Sequence, residues 1–89
     1  MICLDYDGTF TKYPDLCNLI IDYCKKKNIE CILATMRSEK ERDDGLAEIE
    51  KKIRVYYTNR KAKALFLAEL QIYPDVYIDD NPMWLYKDG

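Results

Sequence analysis

The chain has 89 residues, 48% of them hydrophobic, with eight tyrosines, three glycines and a formal net charge of −2. That length accommodates one core and one domain, residues 1–89. The composition excludes disordered and fibrous classes, and the near-neutral charge gives no electrostatic pull toward nucleic acid. Histidine is absent, which removes Ser-His-Asp and Cys-His nucleophilic catalysis and His-ligated zinc or iron, so acid–base chemistry falls to Asp, Glu, Lys, Tyr or Cys.

Met1 leads straight into a first apolar run, Ile2 to Asp5, so no signal or transit peptide is expected. No stretch approaches the length of a membrane span, and a cytoplasmic location without a membrane partner is the expectation. The first helical pattern follows Pro14-Asp15, with Leu16, Leu19, Ile20, Tyr23 and Cys24 at helical spacing and Asn28 as a stop signal. Cys31 to Thr35 reads as the second strand.

A second helix is expected from Ser38 to Lys52. Ser38 and Glu41 form a capping-box pattern, but the apolar face is thin (Leu46, Ala47, Ile49) and Gly45 weakens it, so its start should be poorly packed. Arg54 to Thr58 is the third strand, and Arg60 to Leu70 the third helix, with Ala62, Leu65, Phe66 and Leu70 on its apolar face. Val76 to Asp79 is the fourth strand, and Asn81-Pro82 starts a short helical turn to Tyr86. Cys3, Cys17, Cys24 and Cys31 lack the paired spacing of zinc sites and lie in apolar segments, as reduced core residues do. The lysine and arginine clusters, such as Lys25 to Lys27, read as solvated faces.

Strand alternating with helix predicts an α/β fold: a three-layer, Rossmann-like, doubly wound parallel sheet of about four strands. In such a sheet ligands bind beyond the C-terminal strand ends. Those ends deliver Asp5 with Asp7, then Thr35, then Thr58, then Asp79 with Asp80, and the third is followed by the basic segment Asn59 to Lys63.

This set suits phosphoryl transfer. Asp5 is placed as a nucleophile forming an aspartyl-phosphate, and Asp7, two residues on along an extended chain, lies on the same side to serve as general acid and then activate water. Tyr6 must point away. Asp79 and Asp80 add negative charge around a phosphate that calls for a cation, and hard oxygen ligands without His or Cys imply magnesium, Mg2+. Thr35 offers a hydroxyl to a phosphate oxygen, and a lysine near the start of the third helix, Lys61 or Lys63, neutralises Asp5 and the phosphoryl group. Gly8 lets the backbone turn beside the ligand.

On these residues the chain resembles the haloacid dehalogenase superfamily of magnesium-dependent phosphohydrolases. Its first motif stands as Asp5-Tyr6-Asp7-Gly8-Thr9, its second as Cys31 to Thr35 and its fourth as Val76 to Asp80, with a lysine as the third. Lys61 with Leu65 suits the family pattern slightly better than Lys63. The resemblance implies that Asp5, the backbone carbonyl of Asp7 and Asp79 hold magnesium, with Asp80 binding directly or through water.

The short segment from Gly8 to Leu16 leaves no room for a cap domain, so the chain looks like a capless minimal core, similar to small phosphatase-like proteins of bacteriophages. An open site suits a phosphorylated substrate such as a nucleic-acid end, a phosphoprotein, or a nucleotide covered by a second subunit in a homo-oligomer. Tyr13, Tyr73, Trp84 and Tyr86 are available for stacking at its rim. Two other readings stand beside this one. A signalling receiver domain would carry its acids, Thr and Lys in a different order, and a binding protein would keep the fold without catalysis, a reading allowed by the short segment Thr9 to Pro14 that stands where members of the family carry a flap.

Overall fold

The computed structural model describes residues 1–89. Four strands form one sheet, β1 (Ile2–Leu4), β2 (Cys31–Thr35), β3 (Arg54–Tyr57) and β4 (Val76–Ile78), all parallel and in the order β3-β2-β1-β4. The helices are α1 (Pro14–Lys27), α2 (Asp44–Glu50) and α3 (Lys63–Glu69), with one-turn helical segments at Glu39–Glu41, before α2, and Pro82–Leu85, after β4. The chain steps outward from β1 to β2 to β3, then crosses back to lay β4 on the other side of β1. That reversal opens a crevice between the C-terminal ends of β1 and β4, where ligands bind in sheets of this kind. No helix is long and apolar enough to cross a membrane.

Each central strand buries both its faces, which is why its sequence is a continuous apolar run. Leu4 and Leu33 pack with Cys17, Ile21 and Cys24 of α1 and with Leu46 and Ile49 of α2. Their neighbours Cys3, Ile32 and Ala34 pack with Leu67 of α3 in a second cluster. All four cysteines are buried and unpaired.

Helix boundaries follow local chemistry, with three corrections to the sequence expectations. The first concerns α1. It begins with Pro14 at its first position and ends at Asn28, which adopts the left-handed conformation (φ 57°). Its buried stripe, however, is Cys17, Ile21 and Cys24, whereas Leu16, Leu19 and Tyr23 are exposed.

The second helix does not start at Ser38. The Ser38–Glu41 capping box closes the short Glu39–Glu41 turn, and α2 starts afresh at Asp43, whose carboxylate accepts from Leu46 N at 2.9 Å. Gly45 is a requirement rather than a weakness there, because a Cβ would collide with the Tyr6 hydroxyl. The third helix starts at Lys63, since Asn59 and Arg60 are both left-handed (φ 54° and 69°) and interrupt the helical path. Leu67 is its buried anchor, while Leu65 and Leu70 are exposed.

Candidate active site

Asp5 follows β1 directly. Its amide donates to Ile78 O of β4 at 3.0 Å, so the sheet's own hydrogen bonding fixes its backbone. The chain then folds into a wide turn, Tyr6–Phe10, closed by Thr11 N donating to Tyr6 O at 3.1 Å. Tyr6 turns away from the crevice into the core, and its hydroxyl donates to Asp43 at 2.8 Å. Gly8 has φ 81°, and a Cβ there would run into the Asp80 carboxylate, so glycine permits both the turn and the close approach of β4's end.

The crevice is a cleft of about 390 Å³. Asp5, Asp7, Thr35, Lys63, Asp79 and Asp80 all line it, together with Gly8, Met36, Asn81 and Trp84. At its floor the Lys63 ammonium donates to Asp5 Oδ1 at 2.5 Å and to Asp79 Oδ2 at 2.7 Å, with all three side chains buried. The other oxygen of Asp5 accepts from the Thr9 hydroxyl at 3.0 Å, and that hydroxyl in turn accepts from Asp80 N at 3.1 Å. Asp79 Oδ1 accepts from Asn81 N at 3.0 Å.

Burial pushes the Asp5 carboxyl up to about 6; Lys63 opposes the rise and the neighbouring acids reinforce it. Burial works against the Lys63 charge, but its hydrogen bonds to Asp5 and Asp79 outweigh that and hold it above its ordinary value. Carboxylate oxygens of Asp5, Asp79 and Asp80 lie within 4.8 Å of one another, a hard-oxygen donor set of the kind that fits magnesium.

Lys61 does not reach this cluster. It is exposed, and its carbonyl accepts from the Thr58 hydroxyl at 2.7 Å, so the lysine beside Asp5 is Lys63 and the preference for Lys61 is corrected. Three residues of delay in helix initiation, from Arg60 to Lys63, put Lys63 rather than Lys61 at the head of the helix. Thr35 is buried at the cleft wall, and its hydroxyl accepts from Arg37 N at 3.3 Å. Of the aromatic side chains expected at the rim, Trp84 lines the cleft and Tyr13, Tyr73 and Tyr86 do not.

Asp7 stands apart from the floor. It lies outside the three-carboxylate cluster and is gripped at the mouth by Arg37, whose Nη2 and Nε donate to its two oxygens at 2.7 and 3.0 Å. The other nitrogen of the fork, Nη1, donates to Glu41 O at 2.9 Å and to Asp43 at 3.1 Å, and the guanidinium lies 5.1 Å from the Tyr6 ring centroid. The bond to Asp7 is the chief reason the Arg37 pKa is raised.

Sequence reasoning overlooked both Arg37 and the bridging role of Thr9. Thr9 carried a usable signal, standing four residues after Asp5 and directly behind the glycine. Arg37 carried none, because its partner is 30 residues away. A separate cavity of about 250 Å³ behind Tyr6, walled by Phe10, Pro14 and Ile49, receives no strand-end carboxylate. No family model, curated protein or solved structure matches the chain.

Proposed function

We propose that the protein is a magnesium-dependent phosphohydrolase working through an aspartyl-phosphate, a capless member of the haloacid dehalogenase superfamily built as one three-layer, Rossmann-like domain. The single observation that carries the reading is the floor of the cleft: Lys63 bridging Asp5 and Asp79, with Asp80 completing a carboxylate cluster at the β1/β4 reversal. Packing of α1 and α2 against one set of strand residues and α3 against the alternate set supports the layered assignment. Four buried, unpaired cysteines suit a reducing, cytoplasmic compartment.

Asp5, Asp79 and Asp80 would hold the cation, which supplies counter-charge so that a phosphate approaches a site rich in carboxylates. Asp5, oriented by Thr9 and Lys63, attacks phosphorus; the bond to the leaving oxygen breaks, and that oxygen takes a proton from Asp7. Lys63 and the Thr35 hydroxyl stabilise the equatorial oxygens. Asp7, now a carboxylate, takes a proton from the water that cleaves the acyl phosphate and frees Asp5. With no cap over the cleft, the substrate class is a phosphate on a larger molecule: a nucleic-acid end, a phosphoprotein, or a nucleotide covered by a second subunit.

One observation favours a non-catalytic phosphate-binding reading, namely that Asp7 is charge-paired with Arg37 rather than turned toward the floor. Hydrolysis of a generic aryl phosphate decides between them. The native chain is expected to turn over with magnesium and not with EDTA, and Asp5→Asn to be inactive. Equal rates in native and variant, or none in either, reject the enzyme.

A further inference from the structure

We propose that Arg37 is the phosphate-receiving side chain at the mouth of the cleft, and that an incoming phosphoryl group displaces Asp7 from it. The nature of the ligand rests on the phosphohydrolase reading above; the exchange itself rests on the geometry around Arg37. The guanidinium is held from one end and offered from the other. Nη1 is tied to Glu41 O and Asp43, the ring of Tyr6 lies under the plane, and Arg37 N is tied to Thr35. The Nε/Nη2 edge is the one that meets Asp7, and two parallel N–H donors fit a phosphoryl group as well as they fit a carboxylate. Loss of Asp7 therefore leaves the fork anchored and aimed.

Asp7 is the component free to move. Its side chain is 57% exposed and its carboxylate has no partner other than Arg37. An exposed ion pair of this kind is weak, and a phosphate dianion brings twice the charge to the same donors. Exchange would also have a chemical consequence. While clamped, Asp7 has both its oxygens occupied by the Arg37 fork; once released, its side chain is free to turn toward the floor of the cleft. Arrival of the phosphate and liberation of the acid become a single event, so that Arg37 both binds the substrate and governs the position of Asp7.

Inorganic phosphate at fixed magnesium, followed through backbone amide and arginine Nε–H resonances, tests this on the whole chain. The Arg37 Nε–H resonance should move on titration. Arg37→Gln should weaken phosphate binding by about tenfold or more, and Arg37→Lys, which keeps the charge and loses the fork, by less. Asp7→Asn should tighten binding by about two- to fivefold, because it removes the competitor.

General relief of negative charge would also tighten binding, so the double variant is decisive: competition predicts that the gain from Asp7→Asn disappears in the Arg37→Gln background. An equal gain in both backgrounds overturns the exchange, as does unchanged affinity in Arg37→Gln or no phosphate binding by the native chain. Should Arg37→Gln fail to fold, the same cycle is run with Arg37→Lys, where the gain must shrink. Phosphate binding with this pattern but no aryl phosphate hydrolysis defeats the enzyme reading and leaves the exchange standing; hydrolysis with Arg37-independent phosphate binding does the reverse.

Discussion

Two acid–base–acid bridges sit at the same end of the sheet, one of Asp5, Lys63 and Asp79, the other of Asp7, Arg37 and Asp43. Their chemistry is alike and their surroundings are opposite. In the first the lysine side chain is 4% exposed and its partners scarcely more; in the second the arginine is 25% exposed and its partners 57% and 43%. In the buried bridge each charge depends on its neighbours, because none has water to fall back on. In the exposed one water replaces any partner at small cost. The floor is thereby suited to holding atoms still, and the mouth to exchanging ligands.

The sharpest way to break that contrast is Lys63→Met. It leaves Asp5 and Asp79 buried without a cation and should cost about 3–5 kcal/mol in urea unfolding at neutral pH. The deficit should shrink on acidification. Asp5 is pushed up to about 6 by burial, above its unfolded value, so its protonated form favours the fold, a contribution lost as pH rises through about 6. Removing the lysine raises that carboxyl further, and a deficit that grew toward acid pH would contradict the picture.

Next in size are the glycines that set the distances between elements. Gly8→Ala, at a positive φ and against Asp80, should destabilise by about 1–3 kcal/mol and, under the phosphohydrolase proposal, lower aryl phosphate turnover by moving Asp80. Gly45→Ala is expected to destabilise too, although alanine is the better helix former, because its methyl meets the hydroxyl of Tyr6. A stabilised Gly45→Ala chain would show that Tyr6 is not anchoring Asp43.

Arg37→Gln should change stability by no more than about 1 kcal/mol, despite breaking several hydrogen bonds. A loss as large as that of Lys63→Met would erase the difference between mouth and floor. The smallest expected signal is an absence of reaction. Burial pushes Cys3 and Cys31 up to about 12, so in the native chain neither thiol should react with an aromatic disulfide at pH 8, and both should react in urea. Rapid native labelling of Cys3, two residues before Asp5 on β1, would mean that the floor opens.

Much of the architecture is legible in the chain because its signals are local. The strands show as unbroken apolar runs, since Cys3 and Leu4, or Ile32 and Leu33, serve opposite faces of one sheet. Pro14 and Asn28 mark the limits of α1 by their backbone preferences alone. The buried face of α1 is not legible in the same way. Leu16, Leu19 and Tyr23 form an apolar stripe at helical spacing just as Cys17, Ile21 and Cys24 do, yet the second stripe is the one turned to the sheet. The start of α3 was hidden because the left-handed residues that delay it are Asn59 and Arg60, with no glycine to announce them.

By itself the sequence determined which acids stand at strand ends, because strand periodicity and the short turn after β1 place Asp5, Asp79 and Asp80 whatever the rest of the chain does. Only the tertiary structure decided that Lys63 and not Lys61 meets Asp5, that Thr9 joins the two acidic strand ends, and that Arg37 holds Asp7 at the mouth. Those contacts span up to 71 residues of chain. Hydrogen bonds act over about 3 Å, so no local pattern encodes them; they exist because the crossover to β4 brings distant strand ends to one crevice.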